Sequence, residues 1–293
     1  RVAFVGTGAI GSPMARRLLH AHDVVVFDPD PDRVQALVRD GALAARTAAE
    51  AVHGADAAVI MVATPAQLET ALFGESGVAT GAAPGTTIVI MSSVGREAVA
   101  SAARRLEAAG LHLLDAPVTG GVARATTGEL TLLIGGDEDD ITALEPVLSL
   151  LGTTLARCGP RVGDGQSVKL VNQLLCAVHL VAAAEALTLA DRLGLDPAAV
   201  LAIVEGGAAG SFMLSDRGPR MLAADPPVLS AIDIFAKDAG LVAEAAGAAG
   251  LAVPLLEAAR ARFAAAQDGG LHRADDSTVI RTYASPEASG SRA

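Results

Sequence analysis

The sequence predicts two architectures in series: an α/β domain built on a parallel, doubly wound sheet, then an all-α domain joined to it through one long interdomain helix. Three observations carry this. An apolar run, Arg1 to Val5, ends in the turn Gly6-Thr-Gly8-Ala9-Ile10-Gly11 and passes straight into an amphipathic segment that reaches Leu19. Strand-like runs then alternate with helical patterns as far as Ala116. After Gly163-Asp-Gly165 the strand signals stop, and Gln166 to Leu193 runs for about 28 residues without proline or glycine. A chain of 293 residues fits two ordinary domains. The expected boundaries are 1–162 and 163–283, with a small, polar, disordered tail at 284–293.

Strand, glycine turn and helix in that order open a Rossmann-type dinucleotide-binding sheet. Gly6 makes the tight turn, Gly8 lets the backbone approach a pyrophosphate, and Gly11 lets helix and strand pack closely. Ala9 and Ile10 complete the loop, and the helix N-terminus offers its amides and positive dipole end to the phosphates. A second strand, Asp23 to Asp28, ends in an acid 17 residues after Gly11, where a ribose diol would lie. A carboxylate there accepts hydrogen bonds from the 2′-hydroxyl of NAD and repels the 2′-phosphate of NADP. Asp30 and Asp32 add negative charge that only Arg33 opposes, so NAD is expected over NADP. Further strands are expected at Ala57 to Ala63, Thr87 to Ser92 and Leu111 to Ala116, with a helix at Arg96 to Ala109. Ligands of such sheets bind beyond the carboxyl ends of the strands. Ala63, Thr64 and Ser93 are therefore candidate cofactor contacts, and the turn from Asp115 to Gly121 points to the same crevice. Ser93 has an equal alternative as an ordinary helix cap.

The helix from Gln166 is apolar nearly all round in its first turns, with Val168, Leu170, Val171, Leu174 and Leu175. Lys169, Asn172 and Gln173 interrupt it at i, i+3 and i+4, which places them on one face. Polar groups in such a helix need polar partners. The chain contains two lysines, Lys169 and Lys237, against 20 arginines. An amine exchanges a proton once its surroundings tune it, whereas a guanidinium stays protonated. Lys169 is thus a candidate acid/base. Lys237, followed by Asp238 in the next helical pattern through Ala249, is a candidate border of the cofactor pocket. The plainer alternative is mutational bias in a chain rich in alanine, glycine and arginine.

Composition narrows the function classes. A net charge of −11 with so little lysine argues against general nucleic-acid binding. The longest apolar runs are broken before the ~18 residues of a membrane span, which predicts a soluble protein without a membrane partner. Cys158 and Cys176 provide neither a disulfide framework nor metal-ligand spacing, so no metal is expected. With no signal peptide, the cytoplasm is the expected compartment. The chain opens on a strand without an initiator Met, which suggests a trimmed N-terminus. The long apolar helix and the alanine-rich stretch from Leu241 to Ala266 predict a homodimer or homotetramer.

Four stretches together resemble the β-hydroxyacid dehydrogenase family, which includes 3-hydroxyisobutyrate dehydrogenase, tartronate semialdehyde reductase and 6-phosphogluconate dehydrogenase. They are the glycine turn, Asp115-Ala-Pro-Val-Thr-Gly-Gly121, Gly163-Asp-Gly-Gln-Ser-Val-Lys169 and Lys237-Asp238, and they span the chain. The resemblance implies that Thr119, Gly120 and Gly121 bind the carboxylate of a small hydroxy acid, with threonine in the usual serine position. It also implies that Lys169 is the general acid/base. Gln173 stands where the family usually has a second asparagine, which puts a substrate-hydroxyl contact there in doubt. Within the family, Lys169-x-x-x-Gln173, Ala208 to Ser211, Ser230 to Phe235, Asp275 to Ile280 and the run Gly120 to Glu129 look like the L-threonate dehydrogenase subgroup. Those enzymes oxidise C2 of a four-carbon sugar acid, and Ser211 joins Asn172 and Gln173 as a candidate substrate contact. The implied rivals are 3-hydroxyisobutyrate or semialdehyde chemistry, imine reduction, which retention of Lys169 argues against, and a non-catalytic nucleotide-binding scaffold.

Overall fold

In the computed structural model, which describes residues 1–283, the chain divides after Lys169 into two units. The expected tail at 284–293 lies outside the described residues. The strands of the first unit are β1 (Val2–Val5), β2 (Val24–Phe27), β3 (Leu43–Ala44), β4 (Ala57–Ile60), β5 (Thr87–Ile90), β6 (His112–Asp115), β7 (Val118–Thr119), β8 (Leu130–Gly135) and β9 (Gly152–Gly159). Its helices are α1 (Gly11–Leu18), α2 (Pro31–Arg39), α3 (Ala48–Val52), α4 (Pro65–Phe73), α5 (Val78–Gly81), α6 (Arg96–Ala108), α7 (Gly121–Thr127) and α8 (Glu138–Leu148).

The sheet runs β3-β2-β1-β4-β5-β6-β8-β7, with β9 on β8. Side chains alternate between its faces, as period 2 requires. Phe4, Val26, Val59 and Leu114 enter one core, while Val5, Val25, Ile60 and Ile90 enter the other. Because both faces are buried, the strands read as unbroken apolar runs. Registers Val5↔Phe27, Val5↔Ile60, Ile60↔Ile90 and Ile90↔Asp115 bring the carboxyl ends of β2, β1, β4, β5 and β6 to one edge. The chain reverses its direction of winding between β1 and β4, which is where such sheets open a crevice.

The expectation of a parallel sheet is corrected beyond β6. β8 pairs antiparallel with both β6 and β7, and β9 then pairs parallel with β8. The cause is length: α7, with seven residues, spans only about 10 Å. That cannot carry the chain back along a strand for another parallel crossover. The predicted strands also stop early, at Ile60 and Ile90, so Ala63, Thr64 and Ser93 all lie in loops beyond them.

Among the described residues of the second unit the regular structure is helical apart from an isolated bridge between Ala231 and Asp275. The long helix α9 (Asp164–Arg192) begins in the first unit and two residues earlier than expected. It is followed by α10 (Pro197–Val204), α11 (Phe212–Met221), α12 (Ile232–Ala248), α13 (Pro254–Asp268) and a 3-10 helix at Asp276–Tyr283. α9 is long and apolar enough to cross a membrane, contrary to the reading of interrupted runs. One face of it belongs to a protein core instead, where Ala177, Leu180, Ala184 and Leu187 pack with Met213, Phe235, Val242 and Phe263.

Candidate active site

Gly6 follows β1 with φ +95°, and a Cβ there would run into the Met61 carbonyl oxygen. A Cβ on Gly11 would meet the carbonyl oxygen of Gly6. Gly8 is different, because its Cβ would find only the Arg33 guanidinium, 3.8 Å away. Two of the glycines are therefore required by packing, and the third leaves an approach open. The first turn of α1 has no side-chain cap, with Ile10 at the N-cap position and Ala9 exposed before it. The buried hydroxyl of Thr7 has no hydrogen-bond partner within the described residues. An uncapped helix start, an open glycine and an orphaned hydroxyl fit a dinucleotide pyrophosphate.

Asp28 lies just beyond β2 with its side chain only 7% exposed. Its Oδ2 accepts from the Thr7 amide at 2.7 Å and its Oδ1 from the Asp30 amide at 2.9 Å, so the carboxylate is tied directly to the glycine turn. Arg33 approaches it at 3.9 Å while pairing more closely with Asp30 at 3.2 Å. Beyond β4, Thr64 Oγ1 accepts from the Gln67 amide and Gln67 Oε1 accepts from the Ala63 amide. This reciprocal cap fixes the loop and occupies the Thr64 oxygen. Ser93 is not the cap of α6, since Gly95 holds that position.

Thr119 sits on β7 and is followed by Gly120 and Gly121, with φ of +132° and +71°, at the start of α7. A Cβ on Gly120 would collide with the aliphatic stem of Arg124. The Asp115 that ends β6 is fully buried and accepts the Gly163 and Gln166 amides, each at 2.7 Å. Burial raises its pKa from 3.8 to about 6, with the nearby charge of Asp164 adding to the rise and the two amides opposing it. The Gln166 carboxamide, also buried, donates to the Ser92 carbonyl at 2.9 Å and accepts from the Val94 and Gly95 amides at 3.2 and 3.1 Å. Sequence reasoning passed over Asp115 and Gln166 as site components. For Asp115 the available signal was a carboxylate in the otherwise apolar run Leu113 to Val118, whereas Gln166 stands among Asp164, Ser167 and Lys169 and nothing local set it apart.

One turn beyond Gln166, Lys169 is 8% exposed, as is Gln173. In the second unit, Asn172 Nδ2 donates to Gln173 Oε1 at 2.8 Å, and Gln173 Nε2 donates to Asp238 Oδ2 at 2.6 Å. Lys237 Nζ stands 2.7 Å from the other oxygen of Asp238, as an ion pair rather than an aligned hydrogen bond. The structure thus joins Asn172, Gln173, Asp238 and Lys237 in one polar chain. Ser211 lies outside that chain, at the N-cap of α11, where its Oγ accepts from the Leu214 amide at 3.0 Å. Among the described residues no cluster of three metal-ligating side chains occurs.

Residues 1–159 match the family described as the NAD binding domain of 6-phosphogluconate dehydrogenase. Residues 163–283 match the one described as NAD-binding of NADP-dependent 3-hydroxyisobutyrate dehydrogenase. An L-threonate dehydrogenase of Cupriavidus necator is 36% identical over 99% of this chain and 98% of its own length. A 2-hydroxy-3-oxopropionate reductase of Escherichia coli is 33% identical, covering 96% of both chains. The crystal structure of a 3-hydroxyisobutyrate dehydrogenase from Salmonella typhimurium superposes with a TM-score of 0.91 at 37% identity, over 96% of this chain and 99% of that one. With both halves matched and full-length relatives above 30% identity, the chain belongs to the β-hydroxyacid dehydrogenase family of NAD(P)-dependent oxidoreductases.

Proposed function

We propose that this enzyme oxidises the C2 hydroxyl of a four-carbon sugar acid such as L-threonate, with NAD as cofactor and Lys169 as general acid/base. The observation that carries the reading is the face of α9 on which a buried amine, Lys169, lies one turn before Asn172 and Gln173. The only other lysine is ion-paired with Asp238. The names of the full-length relatives support the substrate class.

When bound, NAD supplies the hydride acceptor, and the chain supplies everything else. The Thr119 hydroxyl and the Gly120 and Gly121 amides hold the substrate carboxylate and so fix C2; such positioning accounts for several kcal/mol of barrier lowering. As the C2–H bond yields its hydride, neutral Lys169 Nζ takes the hydroxyl proton, leaving a 2-oxo acid and an ammonium. In reduction the ammonium returns that proton to the forming alkoxide. Asn172 meets a substrate hydroxyl, and Ser211, whose oxygen already accepts an amide, contributes its hydrogen. Asp28, held by two amides, favours the free 2′-hydroxyl of NAD over the phosphate of NADP. The Ala63, Thr64 and Ser93 loops and Lys237 border the cofactor.

Initial rates of oxidation of L-threonate and 3-hydroxyisobutyrate with NAD and NADP, and of reduction of 2-hydroxy-3-oxopropionate with NADH and NADPH, test the assignment. L-threonate with NAD should give the highest kcat/KM. A preference for 3-hydroxyisobutyrate would move the enzyme to the neighbouring activity suggested by the 37% identical structure. Lys169→Met and Lys169→Arg should each reduce kcat by at least about 100-fold while NAD still binds. A Lys169→Arg enzyme with ordinary turnover would remove the proton-transfer role.

A further inference from the structure

Gln166 and Asp115 touch neither end of the proposed reaction, yet they hold more buried hydrogen bonds than any candidate that does. Gln166 is 1% exposed and Asp115 is fully buried. One carboxamide binds Ser92 O, Val94 N and Gly95 N, which bracket Ser93 in the loop beyond β5. The backbone amide of the same residue donates to Asp115, whose second oxygen takes the Gly163 amide just before α9. Ser92 Oγ in turn accepts from the Val62 amide and donates to the Ile60 carbonyl, lacing the end of β4 to that of β5. Space is tight around the clamp. A Cβ on Gly135 would meet Asp115 Oδ1 at 2.5 Å, and one on Gly165 would meet Asp115 Oδ2 at 2.8 Å. The first turn of α9 is therefore fixed to the strand ends by side chains that cannot slide.

Lys169 follows Gln166 by three residues, on the same helix face. We infer that Gln166 is a positioning residue: it locks the start of α9 to the Ser92–Gly95 loop and so sets where the Lys169 amine stands relative to the cofactor-side loop. All of these residues lie within the first unit. The inference rests on the proposed acid/base role of Lys169, and it explains why a glutamine occupies a buried first turn. Glutamine offers an acceptor for two amides and a donor for one carbonyl at once. Leucine or methionine would fill the space and leave three backbone groups unmet.

The test uses Gln166→Met, similar in length but without the hydrogen bonds. With the best substrate of the panel, kcat should fall about 10- to 100-fold, as misplacing a reacting group by an ångström does. KM for the hydroxy acid and Kd for NAD should stay within about threefold, and the pH limb of kcat that Lys169→Arg removes should shift. A second readout needs no turnover. The chain has two lysines, so reductive methylation with 13C gives one resonance for each beside the N-terminal amine. The titration midpoint of Lys169 should move by about half a pH unit or more in Gln166→Met, while Lys237 stays in place. If Gln166→Met does not fold, Gln166→Asn keeps a neutral carboxamide but, one methylene shorter, draws it back from Ser92, Val94 and Gly95, and it should show the same shifts. A purely structural role would lower thermal stability and leave both the pH limb and the Lys169 resonance where they were; that result overturns the inference. An active Lys169→Arg enzyme would overturn the acid/base assignment instead, and the resonance would still report whether Gln166 places the amine.

Discussion

Gln173 Nε2 stands 2.6 Å from Asp238 Oδ2, and this bond restricts what its position on α9 can hold. Asp238 is only 5% exposed, so its carboxylate needs that donor. Asparagine is one methylene shorter and would fall back by about 1.5 Å, beyond hydrogen-bond reach. Gln173→Asn should therefore destabilise the protein by about 1–3 kcal/mol. Urea unfolding measures this, and in an Asp238→Asn background the penalty should shrink, because no charge is left buried without its donor. Full additivity of the two changes would show that the bond contributes nothing. The departure from the family's asparagine was visible in the sequence, and so was the shared face of Lys169, Asn172 and Gln173, because helical spacing alone determines it. The partner was not visible: Asp238 lies 65 residues away, and no local pattern announces a tertiary contact of that range.

At the scale of elements, legibility followed the same division. α9 was readable because its uninterrupted length admits no other structure, and β1, the glycine turn and α1 were readable because three glycines at that spacing serve one geometry. The antiparallel β7 and β8 were not, since their direction depends on what a seven-residue helix can span. α9 also carries a second apolar stripe apart from its buried face. Val168, Val171, Leu175 and Leu189 are all exposed and recur at three-, four- and fourteen-residue spacings, close to whole turns of the helix. All the exposed large hydrophobics except Leu43 lie at Val168 or beyond. Such a surface favours self-association, the expected homodimer or homotetramer. Sedimentation equilibrium should give a mass at least twice the 29.3 kDa of the chain, and Val171→Glu with Leu175→Glu should lower the association constant by at least about tenfold. A monomer at micromolar concentration would refute it.

For the molecule as a whole, stability against pH depends on buried carboxylates that pull in opposite directions. Burial pushes Asp115 from 3.8 to about 6, and burial likewise raises Asp276 against the pull of Arg217 and Arg220. Burial also acts on Asp275, but hydrogen bonds from Ser277 and the Leu229 amide, with the charge of Arg220, outweigh it and leave that pKa lowered. The signs follow from which state binds the proton more tightly. A lowered carboxylate such as Asp275 contributes stability above its unfolded pKa and loses it in acid. A raised one such as Asp115 contributes stability that is complete below pH ~4 and is lost as pH climbs through about 6. A shift of roughly two units corresponds to about 3 kcal/mol at most. Asp115→Asn isolates this effect, because asparagine resembles the protonated acid and does not titrate. The stability of the natural protein minus that of Asp115→Asn, measured by urea unfolding at fixed ionic strength, should fall by up to about 3 kcal/mol between pH 4 and pH 7. The change should be steepest near pH ~5, midway between the unfolded and folded pKa values, and should level off above pH ~6. A difference that stays flat across this interval would mean that the Gly163 and Gln166 amides offset the burial completely. Asp115 would then ionise in the folded chain as readily as in water, and neutral pH would place no strain on the clamp that holds the start of α9.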